Sequence, residues 1–276
     1  MTAKTTHEEE EYILGTDRAE LERLRFQHEV WVAHTHRLWA RAGFGEGQAV
    51  ADLGSGPGFT TFDLALVTGA RGKVIACEIS PRFASYLRAE AARRGLSQVE
   101  VREGAVEELA LAPASLDAAY ARWLFCWLRD PGLALGRVAK ALRPGGRIAL
   151  QEYLDWAAMQ LVPASPIFER AVAACMRSWH DGGGTIDLAR RLPALAAEHG
   201  LEVEHFEPVS RAGRVGSLEA RWMGQFFAAY LPKLAAAGRF AAADLELFLA
   251  ELRDREREGS TWFVTPTMTD VILRKR

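Results

Sequence analysis

Cysteine is scarce in this chain of 276 residues. Only Cys77, Cys126 and Cys175 occur, no two of them at a C-x-x-C spacing, which excludes a disulfide framework and a structural zinc site built on cysteine pairs. Long apolar runs are missing as well. Charges interrupt every hydrophobic stretch before about 18 residues, so no transmembrane helix is expected. The opening, Met1 to Tyr12, carries Glu8 to Glu11 where a secretory signal would carry an apolar core. A reducing, cytoplasmic location is the expectation. A surplus of one charge is absent too: 34 Lys and Arg face 36 Asp and Glu, for a net charge of -2 and a pI near 6.4. That balance supplies no basic field for non-specific nucleic-acid binding.

What is present is an average globular composition, 49% hydrophobic and 25% charged, enough for one large domain with insertions or two modest ones. From about Gly47 to Tyr153 short β-rich runs alternate with helical periodicity. Strands are predicted at Val50 to Leu53, Lys73 to Glu78, Val99 to Glu103, Leu116 to Ala121 and Arg147 to Tyr153. A helix is predicted from Phe62 to Val67. Another is capped by Ser80-Pro81, faces inward with Phe83, Leu87 and Ala91, and stops at Gly95, and a third is capped by Asp130-Pro131. Strands joined by helical crossovers imply a parallel sheet covered on both faces. Beyond Tyr153 the pattern predicts helix over Trp156 to His180 and Asp187 to His199, and a strand around Leu201 to Val209. Helices at Ser217 to Tyr230 and Ala242 to Glu258 follow, then a closing strand from Thr261 to Leu273. An amphipathic segment, Leu21 to Ala42, precedes the sheet.

The most informative stretch is Asp52-Leu53-Gly54-Ser55-Gly56-Pro57-Gly58, a glycine-rich turn between a buried strand and a helix. That is where a parallel sheet meets its ligand, and glycines there let backbone approach it closely. A dinucleotide site wants G-x-G-x-x-G, whose last glycine would here be Phe59. The loop is G-x-G-x-G instead. Glu78 closes the second strand, where a carboxylate can accept two charge-assisted hydrogen bonds from a ribose.

The sequence resembles the class I S-adenosylmethionine-dependent methyltransferases through this loop, through Glu78, and through Arg143-Pro144-Gly145-Gly146 before strand five. Tyr12-Ile13-Leu14-Gly15, Arg23-Leu24 with Gln27, Ala121-Arg122-Trp123 and Arg190-Arg191-Leu192-Pro193 look like the small-molecule branch related to ubiquinone and menaquinone methyltransferases. The resemblance implies a Rossmann-like, seven-stranded, mostly parallel α/β sheet with its last strand antiparallel. Residues 1–46 would form a helical segment covering the cofactor site, and residues 47–276 a methyltransferase domain with helical, lid-forming insertions at about 154–186 and 213–259. S-adenosylmethionine would be held by Tyr12, Arg23, Gln27, Asp52, Gly54, Ser55, Gly56, Gly58, Glu78, Ile79, Ala105, Val106 and Arg122. One departure is visible: Glu103-Gly104-Ala105-Val106 places an alanine where the family keeps an aspartate for the adenine amino group.

Methyl transfer from a sulfonium needs alignment and dryness more than a metal or covalent nucleophile, so no metal site is expected. Neither an Asp/Asn-Pro-Pro-Tyr motif nor a Pro-Cys nucleophile occurs, which moves nucleic acid down the list of acceptors. His180, in Trp179-His180-Asp181, is the candidate base. Trp123, Trp156 and the Trp222, Phe226, Tyr230 stripe are candidates for an apolar acceptor pocket, with core packing as their alternative. The expected substrate is a small hydrophobic metabolite, aromatic or polyketide-like. Two other readings stand beside it: a non-catalytic binding or assembly module on the same fold, and a nicotinamide-dependent oxidoreductase, which Phe59 disfavours.

Overall fold

The structure, a computed structural model, describes residues 18–276. Helix α1 (Arg18–Ala42) leads into β1 (Ala49–Leu53), α2 (Phe59–Thr68), β2 (Lys73–Glu78), α3 (Pro81–Arg93), β3 (Val99–Glu103), β4 (Leu116–Arg122), α4 (Pro131–Ala141) and β5 (Leu142–Asp155). The local signals explain these boundaries. The Ser80 hydroxyl accepts from the Phe83 amide and Pro81 fits the first turn of α3, which buries Phe83, Leu87 and Ala91. Asp130 caps α4 the same way, accepting from Leu133 N at 2.9 Å.

The chain continues through β6 (Gln160–Val162), α5 (Pro166–Asp181), α6 (Leu192–Glu198), β7 (Leu201–Val209), β8 (Ala212–Arg214), α7 (Leu218–Ala236), α8 (Ala242–Glu258), β9 (Trp262–Val264) and β10 (Thr267–Lys275). Several of these differ from the sequence expectation; the helix expected from Asp187 is α-helical only from Leu192, after a 3-10 turn at Leu188–Arg191. The stretch from Trp156 is not helical at first: Pro163 and Pro166 exclude a helix before Ser165, whose hydroxyl caps α5. The final strand is two, broken at Thr265-Pro266 because proline cannot continue the hydrogen-bond ladder. Helix α7 runs past Tyr230 to Ala236 with Pro232 inside it.

Seven strands form one sheet in the order β3-β2-β1-β4-β5-β10-β7. Its first five are parallel, and β10 runs antiparallel between β5 and β7. The connection reverses beside β1, whose neighbours are β2 and β4. A crevice therefore opens at the carboxyl ends of these three strands. Register places Leu53 beside Cys77 and Ala121, so the loops after β1, β2 and β4 share one edge. Helix α1 covers one face, burying Leu38, Trp39 and Ala42 with Val50, Leu64, Tyr120, Ala149 and Ile272. The insertions form a layer of their own. A small sheet, β6-β9-β8, lies with α5, α7 and α8 around Phe168, whose ring meets Phe227, Phe248 and Phe263. No helix among the described residues is long and apolar enough to cross a membrane.

Candidate active site

A cavity of about 650 Å³ opens at that crevice. Its floor is the glycine turn. Gly54, Gly56 and Gly58 all have positive φ, at 62°, 55° and 91°, where other residues are strained. They differ in what surrounds them. A Cβ on Gly54 would lie 2.8 Å from Leu124 Cδ1, and one on Gly58 would lie 2.6 Å from Leu87 Cγ; at Gly56 nothing comes within 4 Å. Gly54, Ser55 and Gly56 line the cavity. Gly58 is not among the lining residues, and packing against α3 accounts for it.

Glu78 stands across the turn. Its two carboxylate oxygens accept from Gly56 N at 2.7 Å and Ser80 N at 2.8 Å, which ties the turn to the end of β2. A carboxylate oxygen can accept more than one hydrogen bond. Burial raises the Glu78 pKa above its ordinary value, against the lowering by the Ser80 and Gly56 amides. Asp52, also lining the cavity, accepts from the hydroxyls of Thr60 at 2.9 Å and Thr61 at 2.7 Å. Burial pushes it up to about 6, opposed by those two hydroxyls and by the charge of Arg122.

Helix α1 contributes Arg23, Leu24 and Gln27 to the wall. The i, i+4 spacing does bring Arg23 to Gln27, at 3.1 Å, but the guanidinium also grips the buried Glu20 carboxylate at 2.7 and 2.8 Å. Its charge is thus balanced within the helix. Arg122, at the end of β4, lies over the Trp123 ring at 5.2 Å and donates to Thr35 Oγ1 at 3.3 Å. Tyr12 lies outside the described residues. At the opposite end, Gly104, Ala105 and Val106 line the wall with Ile79, and Glu107 and Glu108 follow them. The Gly104 amide donates to Glu78 O at 3.0 Å, which sets the register of this turn.

The remaining wall is aromatic: Trp123, Trp127, Tyr153, Trp179 and Phe226. Trp123 has φ 52°, a strained value for a tryptophan. Glu152 holds the turn that follows, accepting from both Leu124 N at 3.0 Å and Phe125 N at 2.8 Å through one oxygen. The Trp123 ring then stacks on Tyr153 at 5.6 Å and 8°. Other expected pocket residues fall behind this wall. Trp156 and Trp222 are buried at 1% and 2% exposure and do not line the cavity. Trp222 packs on Trp31 and Trp123, and its indole donates to Gln27. Tyr230 is fully buried and donates to Ser178 at 3.0 Å. Trp222 and Tyr230 take the core role of the stripe, as does Trp156 outside it, while Phe226 takes the pocket role. His180 is exposed in the last turn of α5 and does not line the cavity, so it is withdrawn as the base.

Tyr153, Trp127 and Trp179 escaped the sequence reading. Tyr153 carried a usable signal, because it ends a buried strand at the ligand edge of the sheet. Trp179 neighbours His180 on a helix whose hydrophobic face is legible, but the fold alone decides which of the two turns inward.

Residues 51–150 match a family described as a methyltransferase domain. Among curated relatives, an uncharacterised 37.1 kDa protein in transposon TN4556 of Streptomyces fradiae is 30% identical over 71% of this chain and 60% of its own length. Demethylmenaquinone methyltransferase of Lactococcus lactis is 28% identical over 52% of the chain and 54% of its own. Nocamycin O-methyltransferase of Saccharothrix syringae is 35% identical over 38% and 37%. The chain thus spans less than two thirds of each of these relatives. Among solved structures, geranyl diphosphate methyltransferase in complex with S-adenosylmethionine shares the fold, with a TM-score of 0.59 and 16% identity, covering 96% of this chain and 94% of that one. Over residues 51–150 the chain is thus similar to methyltransferase domains, and its sheet has the fold of the solved methyltransferases.

Proposed function

We propose that this chain transfers a methyl group from S-adenosylmethionine to a small, flat, apolar metabolite seated against Trp123, Tyr153, Trp179 and Phe226. One observation carries the reading: a single cavity joins the glycine turn and the Glu78 carboxylate to that aromatic wall. The residues present fit the cofactor. Gly56 leaves its surroundings open, the Glu78 oxygens retain lone pairs for a ribose diol, and Arg122 offers a cation for a carboxylate. Ile79 and Val106 flank the adenine end, where apolar packing and the Val106 amide stand in for the aspartate missing at Ala105. When bound, the cofactor supplies an electrophilic methyl group on a cationic leaving group, which suits in-line displacement. The chain's own work is positional: Glu78 and the turn fix one partner, the rings fix the plane of the other, and the apolar wall keeps water out.

The segment before β1 and the insertions around α5 and α7 are proposed to cover the site; of that segment, residues 1–17 lie outside the described residues. Three buried, unpaired cysteines suit the reducing, cytoplasmic setting proposed for the protein. The relative named for nocamycin O-methylation supports polyketide-like acceptors as the first class to test. The experiment is mass spectrometry of small molecules that copurify with the protein, followed by calorimetry with S-adenosylhomocysteine. Micromolar binding together with methyl transfer to a panel of naphthols and polyketide enols is the expected result. Absence of binding at millimolar ligand would refute it and favour the non-catalytic module.

A further inference from the structure

Beneath the cavity a polar chain crosses the sheet, and its direction is set by elementary donor and acceptor rules. Asp270, on β10, can only accept as a carboxylate, and Gln151 Nε2 donates to its Oδ1 at 2.9 Å. The Gln151 amide is thereby oriented, with Oε1 turned the other way. That oxygen, an acceptor only, receives the hydroxyls of Thr35 at 2.7 Å and Tyr120 at 2.8 Å. The single proton of Thr35 is therefore committed to Gln151, and Thr35 Oγ1 has only lone pairs left to offer. They meet Arg122 Nη1 at 3.3 Å. Thr35, Tyr120, Gln151 and Asp270 are all buried, at 0%, 1%, 3% and 6% exposure, and His34 Nε2 lies 2.7 Å from the other Asp270 oxygen. A chain of this kind is costly to bury unless every member is satisfied. It reaches the cavity at Tyr120 and Arg122, and Arg122 forms no ion pair among the described residues. Arg23, the other arginine on this side, is held by Glu20.

We infer that Arg122 holds the carboxylate of the cofactor's methionine moiety, and that Thr35, oriented through Gln151 by Asp270, is the positioning residue that keeps its guanidinium in place. This rests on the cofactor reading above. Thr35 touches no ligand and acts through Arg122, so its effect must follow the carboxylate. Calorimetry with S-adenosylhomocysteine and with 5′-methylthioadenosine, which keeps adenine and ribose but lacks the amino-acid end, separates the two. Thr35→Val is expected to weaken S-adenosylhomocysteine about three- to tenfold and to leave 5′-methylthioadenosine within about twofold. Thr35→Ser restores the affinity, and adding Thr35→Val to Arg122→Leu produces no further loss. Thr35→Ala gives the same comparison should the valine variant fail to fold. Equal loss for both ligands, or loss for neither, overturns the positioning role while leaving the cofactor site standing. Failure of the unmodified protein to bind either ligand overturns the cofactor reading and this inference with it.

Discussion

Replacing Glu78 by alanine tests the cofactor site at its centre. The carboxylate already accepts Gly56 N and Ser80 N, one on each oxygen, so it enters binding pre-oriented. A ribose diol would add hydrogen bonds to it. Hydrogen bonds to a charged group contribute about 1.5–3 kcal/mol each, but this carboxylate is buried and its ionised form is already penalised. Water replaces part of the loss in the variant. A net cost of about 1.4–2.8 kcal/mol follows, or about ten- to a hundredfold in Kd. Calorimetry should show the same factor for S-adenosylhomocysteine and 5′-methylthioadenosine, since both carry the ribose. Glu78→Gln, which keeps one acceptor oxygen, should fall between the wild type and alanine. Affinity should also drop as pH is lowered through the ionisation of Glu78, whose pKa burial raises from its ordinary value. An unchanged Kd in a variant with wild-type Tm would refute the reasoning, as would a loss confined to S-adenosylhomocysteine.

Gly58→Ala should destabilise the fold, because φ 91° strains any other residue and the new Cβ would lie 2.6 Å from Leu87 Cγ. The strain and overpacking sum to roughly 2–5 kcal/mol, a Tm loss of roughly 5–15 °C, whereas Gly56→Ala should cost only the strain. Glu152→Gln should flatten the pH dependence of stability. Burial pushes Glu152 from 4.5 up to about 7, so its neutral form is favoured in the fold and stability is lost as pH rises from about 4.5 to about 7; glutamine removes that loss, roughly 3 kcal/mol by pH 8. An unchanged slope in thermal unfolding between those pH values would contradict the assignment. Phe226→Ala should weaken 1-naphthol binding to the protein saturated with S-adenosylhomocysteine, leaving the cofactor product's own Kd unchanged, whereas Tyr230→Phe should alter neither and cost about 1 kcal/mol of stability.

The cofactor half of this cavity was legible in the sequence because its determinants are local. A turn that needs positive φ writes its glycines in a row, and an acid at the end of the next strand lies next to it by register alone. What local reading could not do is divide the three glycines. Gly56 faces open space and Gly58 faces Leu87, a distinction made by a helix almost 30 residues away. Nor could it see that Arg23 is paired within its own helix, since Glu20 looks like one more solvated acid until α1 is packed down and the pair is buried.

The acceptor half is different in kind. Its rings come from β5, α5, α7 and the turn after β4, and none of those segments signals the others. An aromatic stripe at helical spacing has the same pattern whether it faces a core or a cavity. In α7 both occur: Trp222 and Tyr230 are spent on Trp31, Trp123, Ser178 and Trp179, and Phe226 between them reaches the cavity. The strained turn at Trp123 is equally invisible, because its cause is Glu152 on the neighbouring strand, whose one oxygen gathers two amides and so fixes where the tryptophan ring must go. Glu152 does not itself line the cavity, so on the proposed acceptor site variation at Glu152 should move the Trp123 wall while leaving the glycine turn and Glu78 in place.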